Sequence, residues 1–356
     1  MHMADALISP VVGGAMLTVT AGLAAYSVKK INDDMDEKKI PLMGVMGAFV
    51  FAAQMINFTI PATGSSGHIG GGLLLAALLG PYAGFLTMAS VLLIQALFFA
   101  DGGLLAYGCN VFNLGFWTCF LAYPLIYKWF TRKGLSARSM SWGTIIAVVI
   151  ALQLGAFSVV LETLASGITE IPFATFLLLM QPLHLAIGLV EGVVTAAIVN
   201  YVWNARPEIL AQAAGGQALG NLSMRNVLQG FIIGAVVVGG GLSWFASANP
   251  DGLEWSMKNI AGSTEQEAAG EIHQTLADLQ EKTAFLPDYA FKASAGGAVE
   301  VSPRETTSGE GQESWPAFDA GTSVSGLVGG AMTLALAGLI GFWISAVKKK
   351  GSEAAA

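Results

Sequence analysis

Nine apolar runs, most of them about 20 residues long, limit what this chain can fold into more than any other feature it has. A helix crosses the roughly 30 Å hydrocarbon core of a bilayer in about 20 residues, so runs of this length read as transmembrane helices. They fall at about 6–28, 40–60, 73–79, 82–100, 104–127, 142–165, 173–203, 227–245 and 323–347. The third, closed by Gly80-Pro81, is too short for a lone span and is expected to cross as a short helix buried among others. Only 12% of the 356 residues are charged and 54% are apolar; soluble domains carry about 25% charge, which excludes that class. The expected fold is an all-α membrane protein of about nine transmembrane helices: a seven-helix module, then a two-helix C-terminal module with a long acidic extracytoplasmic loop. Cys109 and Cys119 share one apolar run, so neither a disulfide framework nor a CxxC metal site is indicated.

Charge placement sets the expected organisation. The first run has no basic residue before Lys29, unlike a secretory signal, and is read as a retained span. The seven-span module covers 1–203, a polar link marked by Gly215-Gly216 covers 204–226, the two-span module covers 227–347, and 348–356 is a tail. Between the last two spans, residues 246–322 hold thirteen acidic and four basic residues. Short cytoplasmic loops are rich in Lys and Arg. With the N-terminus outside, thirteen of the seventeen basic residues fall in the inner segments 29–39, 128–141, 204–226 and 348–356. The opposite orientation would put all thirteen outside.

That orientation brings Met1-His2 and the glycine-rich loop around His68 to one extracytoplasmic face. A histidine at position 2 makes the chain terminus a chelate. The α-amine and the His2 amide nitrogen close a five-membered ring on a metal, and that amide with the His2 imidazole closes a six-membered one. Planar nitrogen ligands suit Ni(II) or Cu(II), and imidazole also suits cobalt and zinc. His68 would supply the fourth nitrogen; the plain alternative is a solvated histidine in a flexible linker. Such ligands bind without their protons, so affinity is expected to fall on acidification through about pH 6.5.

Other polar residues lie in or beside the spans, where they are costly and usually face the bundle interior: Gln95, Asp101, Asn110, Asn113, Glu162, His184 and Glu191. Asn110 and Asn113, with Asp101 and His184, are candidates for supporting hydrogen bonds around the ligands, against an equal case for plain helix packing. Glu191 either contacts a partner subunit or caps a polar interior. His273, in the acidic stretch, is expected to be solvated, and that stretch either gathers cations or is simply disordered. Gly234 and Gly239 to Gly241, with Gly326, Gly329 and Gly330, suit close packing of the last two spans. No HExxH helix or P-loop is present, so metalloprotease chemistry and ATP hydrolysis by this chain are not indicated, and nothing points to nucleic acid. A proton-coupled secondary transporter using Asp101, Glu162 or Glu191 as relay groups is the competing reading.

Several motifs, in order, carry a resemblance: Met1-His2-Met3-Ala4-Asp5; Gly64-Ser-Ser-Gly-His68; Leu79-Gly80-Pro81; Gln95 through Asp101 to Asn113; and His184 through Gly188 and Glu191 to Gly192. They resemble the substrate-binding membrane component of energy-coupling-factor nickel/cobalt transporters. Pro250-Asp251-Gly252-Leu253-Glu254 resembles the signature of the small two-span auxiliary subunit of the same systems. The resemblance implies a divalent nickel or cobalt ion as cargo, with no permanent cofactor, held by Met1, His2 and His68. It also implies a prokaryotic cytoplasmic (inner) membrane, cytosolic ATPase subunits, a transmembrane coupling subunit, and an auxiliary module whose outer loop assists loading. Planar nitrogen ligation only weakly favours nickel over cobalt.

Overall fold

The computed structural model describes residues 2–34, 39–215, 224–263, 270–292 and 319–355. Among them, six helices are long and apolar enough to cross a membrane. These are α1 (Pro10–Asp34), α4 (Pro81–Phe99), α5 (Tyr107–Thr131), α6 (Ala137–Ser166), α7 (Phe173–Ala205) and α12 (Ala320–Ala355). Two further apolar helices, α2 (Lys39–Gln54) and α9 (Arg225–Gly240), have 16 residues each, about 24 Å at 1.5 Å per residue, and the short α8 (Pro207–Gly215) lies between α7 and α9. The eight-residue α3 (Gly72–Leu79) is buried along its whole length, which is how so short an element avoids lipid. Among the described residues, nine apolar helical segments thus fall roughly on the nine runs.

The ends differ from the sequence expectation in an instructive way. Residues 2–9 are not the start of α1; a short turn at Asp5–Leu7 precedes it, and Met3, Leu7 and Ile8 are buried. Pro10, with no N–H to lose, then opens the helix. Likewise residues 100–106 form a loop before α5. In α5 the chain runs in a wider i→i+5 register from Phe112 to Tyr127 around Pro124, whose ring cannot join a regular ladder.

α6 and α7 pair along most of their length, and α5 packs on α6. At the opposite end from His2, Ser136 and Ser139 form a reciprocal capping box that starts α6, worth about 1 kcal/mol. The C-terminal pair α9 and α12 docks on α2. Phe58–Ile60 (β1) and Ser65–Gly67 (β2) form a two-stranded antiparallel hairpin that carries the chain from α2 to His68.

The acidic stretch is not simply a solvated loop. Its described parts include α10 (Gly252–Ala261) and α11 (Glu271–Thr283), laid against the end of the bundle that holds His2 and His68. His273 is buried, 3% exposed, with Nε2 2.9 Å from the Ile8 carbonyl oxygen, so the expectation of a solvated histidine fails. His273 is the residue by which α11 reaches the N-terminal segment, through the Ile8 carbonyl.

Candidate functional site

The N-terminal segment is held as if it were an extra strand. Asn110, one turn into α5, grips Met3 at both backbone ends: the Met3 N–H donates to Asn110 Oδ1 at 2.7 Å, and Asn110 Nδ2 donates to the Met3 carbonyl at 3.1 Å. The Gly103 N–H donates to the same carbonyl at 2.9 Å. Asp5 Oδ1 accepts the Ala106 N–H at 2.9 Å, and burial pushes the Asp5 carboxyl above its usual range. Gly103 lies so close to Asp5 that any side chain there would collide with it. These bonds leave His2 no choice of place. Its side chain is 8% exposed, and its ring stacks on His68 with centroids 5.1 Å apart and planes 23° from parallel. Nitrogens on adjacent corners of a planar site with bonds of about 2 Å are about 3 Å apart, a separation two such rings can reach.

His68 is equally fixed, which removes the flexible-linker alternative. Upstream, Ser66 donates through Oγ to the Asn249 carbonyl at 2.7 Å, and its N–H donates to the Pro250 carbonyl at 2.8 Å. Downstream, the Gly70 and Gly71 N–H groups donate to the two carboxylate oxygens of Glu191 at 2.8 and 2.9 Å. Gly71 sits at φ +77°, left-handed backbone that glycine alone enters freely. Gln54 Nε2 donates to the Gly70 carbonyl at 2.8 Å and Gln95 Nε2 to Gln54 Oε1 at 2.7 Å, a chain of amides running from α4 through α2 to the loop. Glu191 therefore serves the bundle interior, holding the His68 loop, which decides between its two sequence readings. Burial pushes the His68 imidazole down to about 3, so at neutral pH it is uncharged and keeps a ring lone pair. A metal needs that form of the ring.

Asp101 joins the pair. Its Oδ1 lies 2.8 Å from His2 Nδ1. Burial alone would raise the Asp101 carboxyl, but His2 and a hydrogen bond from Tyr289 bring it down to about 2, so it stands as a carboxylate. His2 Nε2 is buried with no hydrogen-bond partner among the described residues. A buried polar atom left orphaned in a native site calls for a reason. The nitrogen that closes a ring with its own amide is Nδ1. A half-turn about the His2 Cβ–Cγ bond presents Nδ1 away from Asp101 and carries Nε2 to the carboxylate's side.

The other candidates sort differently. Asn113 bonds neither imidazole: its Nδ2 donates to Glu162 at 2.7 Å and lies 3.8 Å from the Met3 sulfur. His184 points Nδ1 at the Met180 carbonyl, 2.8 Å away, and lines a cavity of about 20 Å³ with His68, Glu191, Asp251 and Gly252. Met1, the remaining expected ligand, lies outside the described residues.

The Pro250-Asp251-Gly252-Leu253-Glu254 motif has a local explanation. Asp251 caps α10 by accepting the Leu253 and Glu254 N–H groups at 2.8 Å each, and Glu254 returns a bond from the Asp251 N–H at 3.0 Å. Leu253 is buried. Gly252 is pressed on α7, where a Cβ would stand 3.2 Å from His184 Cε1. The motif is thus a helix start built to sit on α7 beside the His68 loop. Sequence reasoning missed Ser66, Gln54, Gln280 and Tyr289 as parts of this assembly; Gln54, a lone amide in an apolar run, carried the only visible signal.

Both parts of the chain match described families. Residues 2–209 match the family described as cobalt uptake substrate-specific transmembrane region, and residues 225–346 match the PDGLE domain. The putative fused nickel transport protein NikMN of Archaeoglobus fulgidus is 37% identical over 214 residues, 60% of this chain and 69% of that protein. The probable fused nickel transport protein LarMN of Lactiplantibacillus plantarum is 31% identical, over 60% of this chain and 67% of that one. A crystal structure of a transition metal transporter superimposes with a TM-score of 0.51 at 29% identity, over 58% of this chain and 93% of that one. With the match spanning the whole first module, this chain belongs to the cobalt uptake substrate-specific transmembrane family of metal transport proteins, with a PDGLE domain joined behind it.

Proposed function

We propose that this chain captures one Ni(II) or Co(II) ion between its own N-terminus and His68 and passes it inward as the substrate-specific component of an ATP-driven energy-coupling-factor transporter. The Met1 amine, the His2 amide and imidazole, and the His68 imidazole are the ligands. Asp101 orients the His2 ring, Asn110 fixes the backbone beside it, and Asn113 and His184 support the surrounding packing. The N-terminus faces outside and the C-terminus the cytosol, where separate ATPase subunits act through a transmembrane coupling subunit. The carrying observation is the stacking of His2 on His68, across 66 positions of sequence that nothing but the fold brings together.

Metal bound by the purified chain with no residue before Met1 tests this directly. His2→Ala, His68→Ala and one extra residue before Met1 are each expected to abolish tight binding. Retention after extension of the N-terminus would overturn the chelate. The proton-coupled alternative loses ground because Glu191 has both oxygens engaged by backbone amides. Uptake that survives loss of the ATPases but collapses with a protonophore would restore it.

A further inference from the structure

The carboxylate beside His2 is held by the other half of the protein. Tyr289, just beyond α11 in the C-terminal module, donates its hydroxyl to Asp101 Oδ2 at 2.5 Å, while Asp101 Oδ1 faces His2 at 2.8 Å. Tyr, carboxylate and imidazole form one line, and both oxygens of the carboxylate are used. From this geometry we propose that Tyr289 is a positioning residue for the ion site, acting through Asp101 on the His2 imidazole. It makes ion affinity in the first module depend on a side chain of the second. The inference rests on the His2/His68 reading above.

Three observations show that the hydroxyl is placed rather than drifting. The Tyr289 ring stacks on Phe99, centroids 5.1 Å apart at 22°, and meets Phe51 edge-on at 6.3 Å. Its backbone is anchored to α12 by the Ser325 hydroxyl, which donates to the Tyr289 carbonyl at 3.0 Å. Asp288 and Tyr289 both sit at positive φ, +50° and +62°, a conformation that costs side-chain-bearing residues energy and persists where the surroundings over-determine it. The loop bearing Asp101 is held from the same side: Gln280 on α11 donates to the Gly102 carbonyl in that loop and to the Ala96 carbonyl at the end of α4, at 2.8 Å each. A simple packing role would be met by phenylalanine, which would not aim a donor at Oδ2 of the carboxylate whose Oδ1 touches His2.

With the His2 ring turned so that Nδ1 is free for the ion, Asp101 stands on its Nε2 side. A hydrogen-bonded carboxylate behind a ligand imidazole fixes the ring's orientation and raises its donor strength, and losing such a partner costs about 10- to 100-fold in metal affinity. The Tyr289 hydroxyl narrows where Asp101 can stand, so its removal falls at the lower end of that range. The experiment is a double-mutant cycle on the full chain in detergent, titrating Ni(II) and Co(II) against a chromophoric chelator. Tyr289→Phe is expected to weaken binding about tenfold and to shift the ligand-field absorption of the bound ion in the same sense as Asp101→Asn. Tyr289→Phe added to Asp101→Asn is expected to cost nothing further. Phe285→Leu, which disturbs the same cluster by its contacts with Phe98 and Phe99, serves as the packing control and leaves the absorption unmoved. Wild-type affinity in Tyr289→Phe, or an equal loss in both backgrounds of the cycle, would overturn the proposal. If instead His2→Ala retains the ion, the underlying site assignment fails, an outcome separate from the first.

Discussion

The two modules meet in two different ways, one inside the apolar layer and one beyond it. Inside, the contact is made of glycine. Gly44 on α2 lets the α12 backbone come close, a Cβ on Gly44 standing 2.8 Å from the Leu334 carbonyl oxygen, and Gly329 on α12 lies against the Phe51 ring on α2. Beyond it, the contact is polar and directional: Ser66 to Asn249 and Pro250, His273 to Ile8, Gln280 to Ala96 and Gly102, and Tyr289 to Asp101. Lipid is as apolar as leucine, so helices within it gain little by hiding aliphatic surface and associate through close packing instead. Close packing sets distance, whereas hydrogen bonds at the loops set which groups face which. The glycine contact brings the second module near, and the polar contact decides what it does to the ion site.

Three substitutions separate these roles. The largest effect is expected from Gly329→Val, whose Cβ would collide with the Phe51 ring. Overpacking of this kind costs about 3 kcal/mol, read as loss of stability of the solubilised full chain, and a change below about 0.5 kcal/mol would show that α12 does not depend on this approach. Next comes Gln280→Ala, which removes one bond to the end of α4 and one to the loop carrying Asp101. At about 1 kcal/mol each, they amount to about 2 kcal/mol, and faster proteolysis within residues 270–292 is the expected readout. Unchanged proteolysis together with unchanged ion affinity would break the division drawn between the two contacts.

The smallest effect is a pH dependence at the α10 start. The charge of Asp251, with burial, raises Glu254 to about 7. The folded chain therefore binds more protons than the unfolded one between about 4.5 and 7, and stability falls as pH rises through that window. Glu254 is exposed, so screening keeps the effect to about 0.5 kcal/mol. Glu254→Gln retains an acceptor for the Asp251 N–H and removes the like charge. It is expected to be more stable than the parent at pH 8 and equal to it at pH 4. A gain that persists at pH 4 would point to some cause other than charge.

His68 changes what acidification should do to ion binding. From sequence, proton competition is expected around pH 6.5 for both histidines. The fold moves the His68 share down to about 3, because an imidazole enclosed by its own loop is poorly placed to carry charge. That shift depends on packing and has no signature in residue order.

Residue order alone determined the class, the number of apolar segments and the pairing of His2 with His68, since hydropathy, loop charge and a histidine at position 2 are properties of single residues and short windows. The tertiary structure decided the rest. It showed that the His68 loop is clamped by Glu191 and Ser66, that residues 2–9 lie over the bundle rather than in α1, that His273 is buried, and that Tyr289 reaches Asp101 across 188 positions. Those outcomes depend on which polar group of one segment finds a partner on another, and such pairings have no period or composition that a one-dimensional reading can detect.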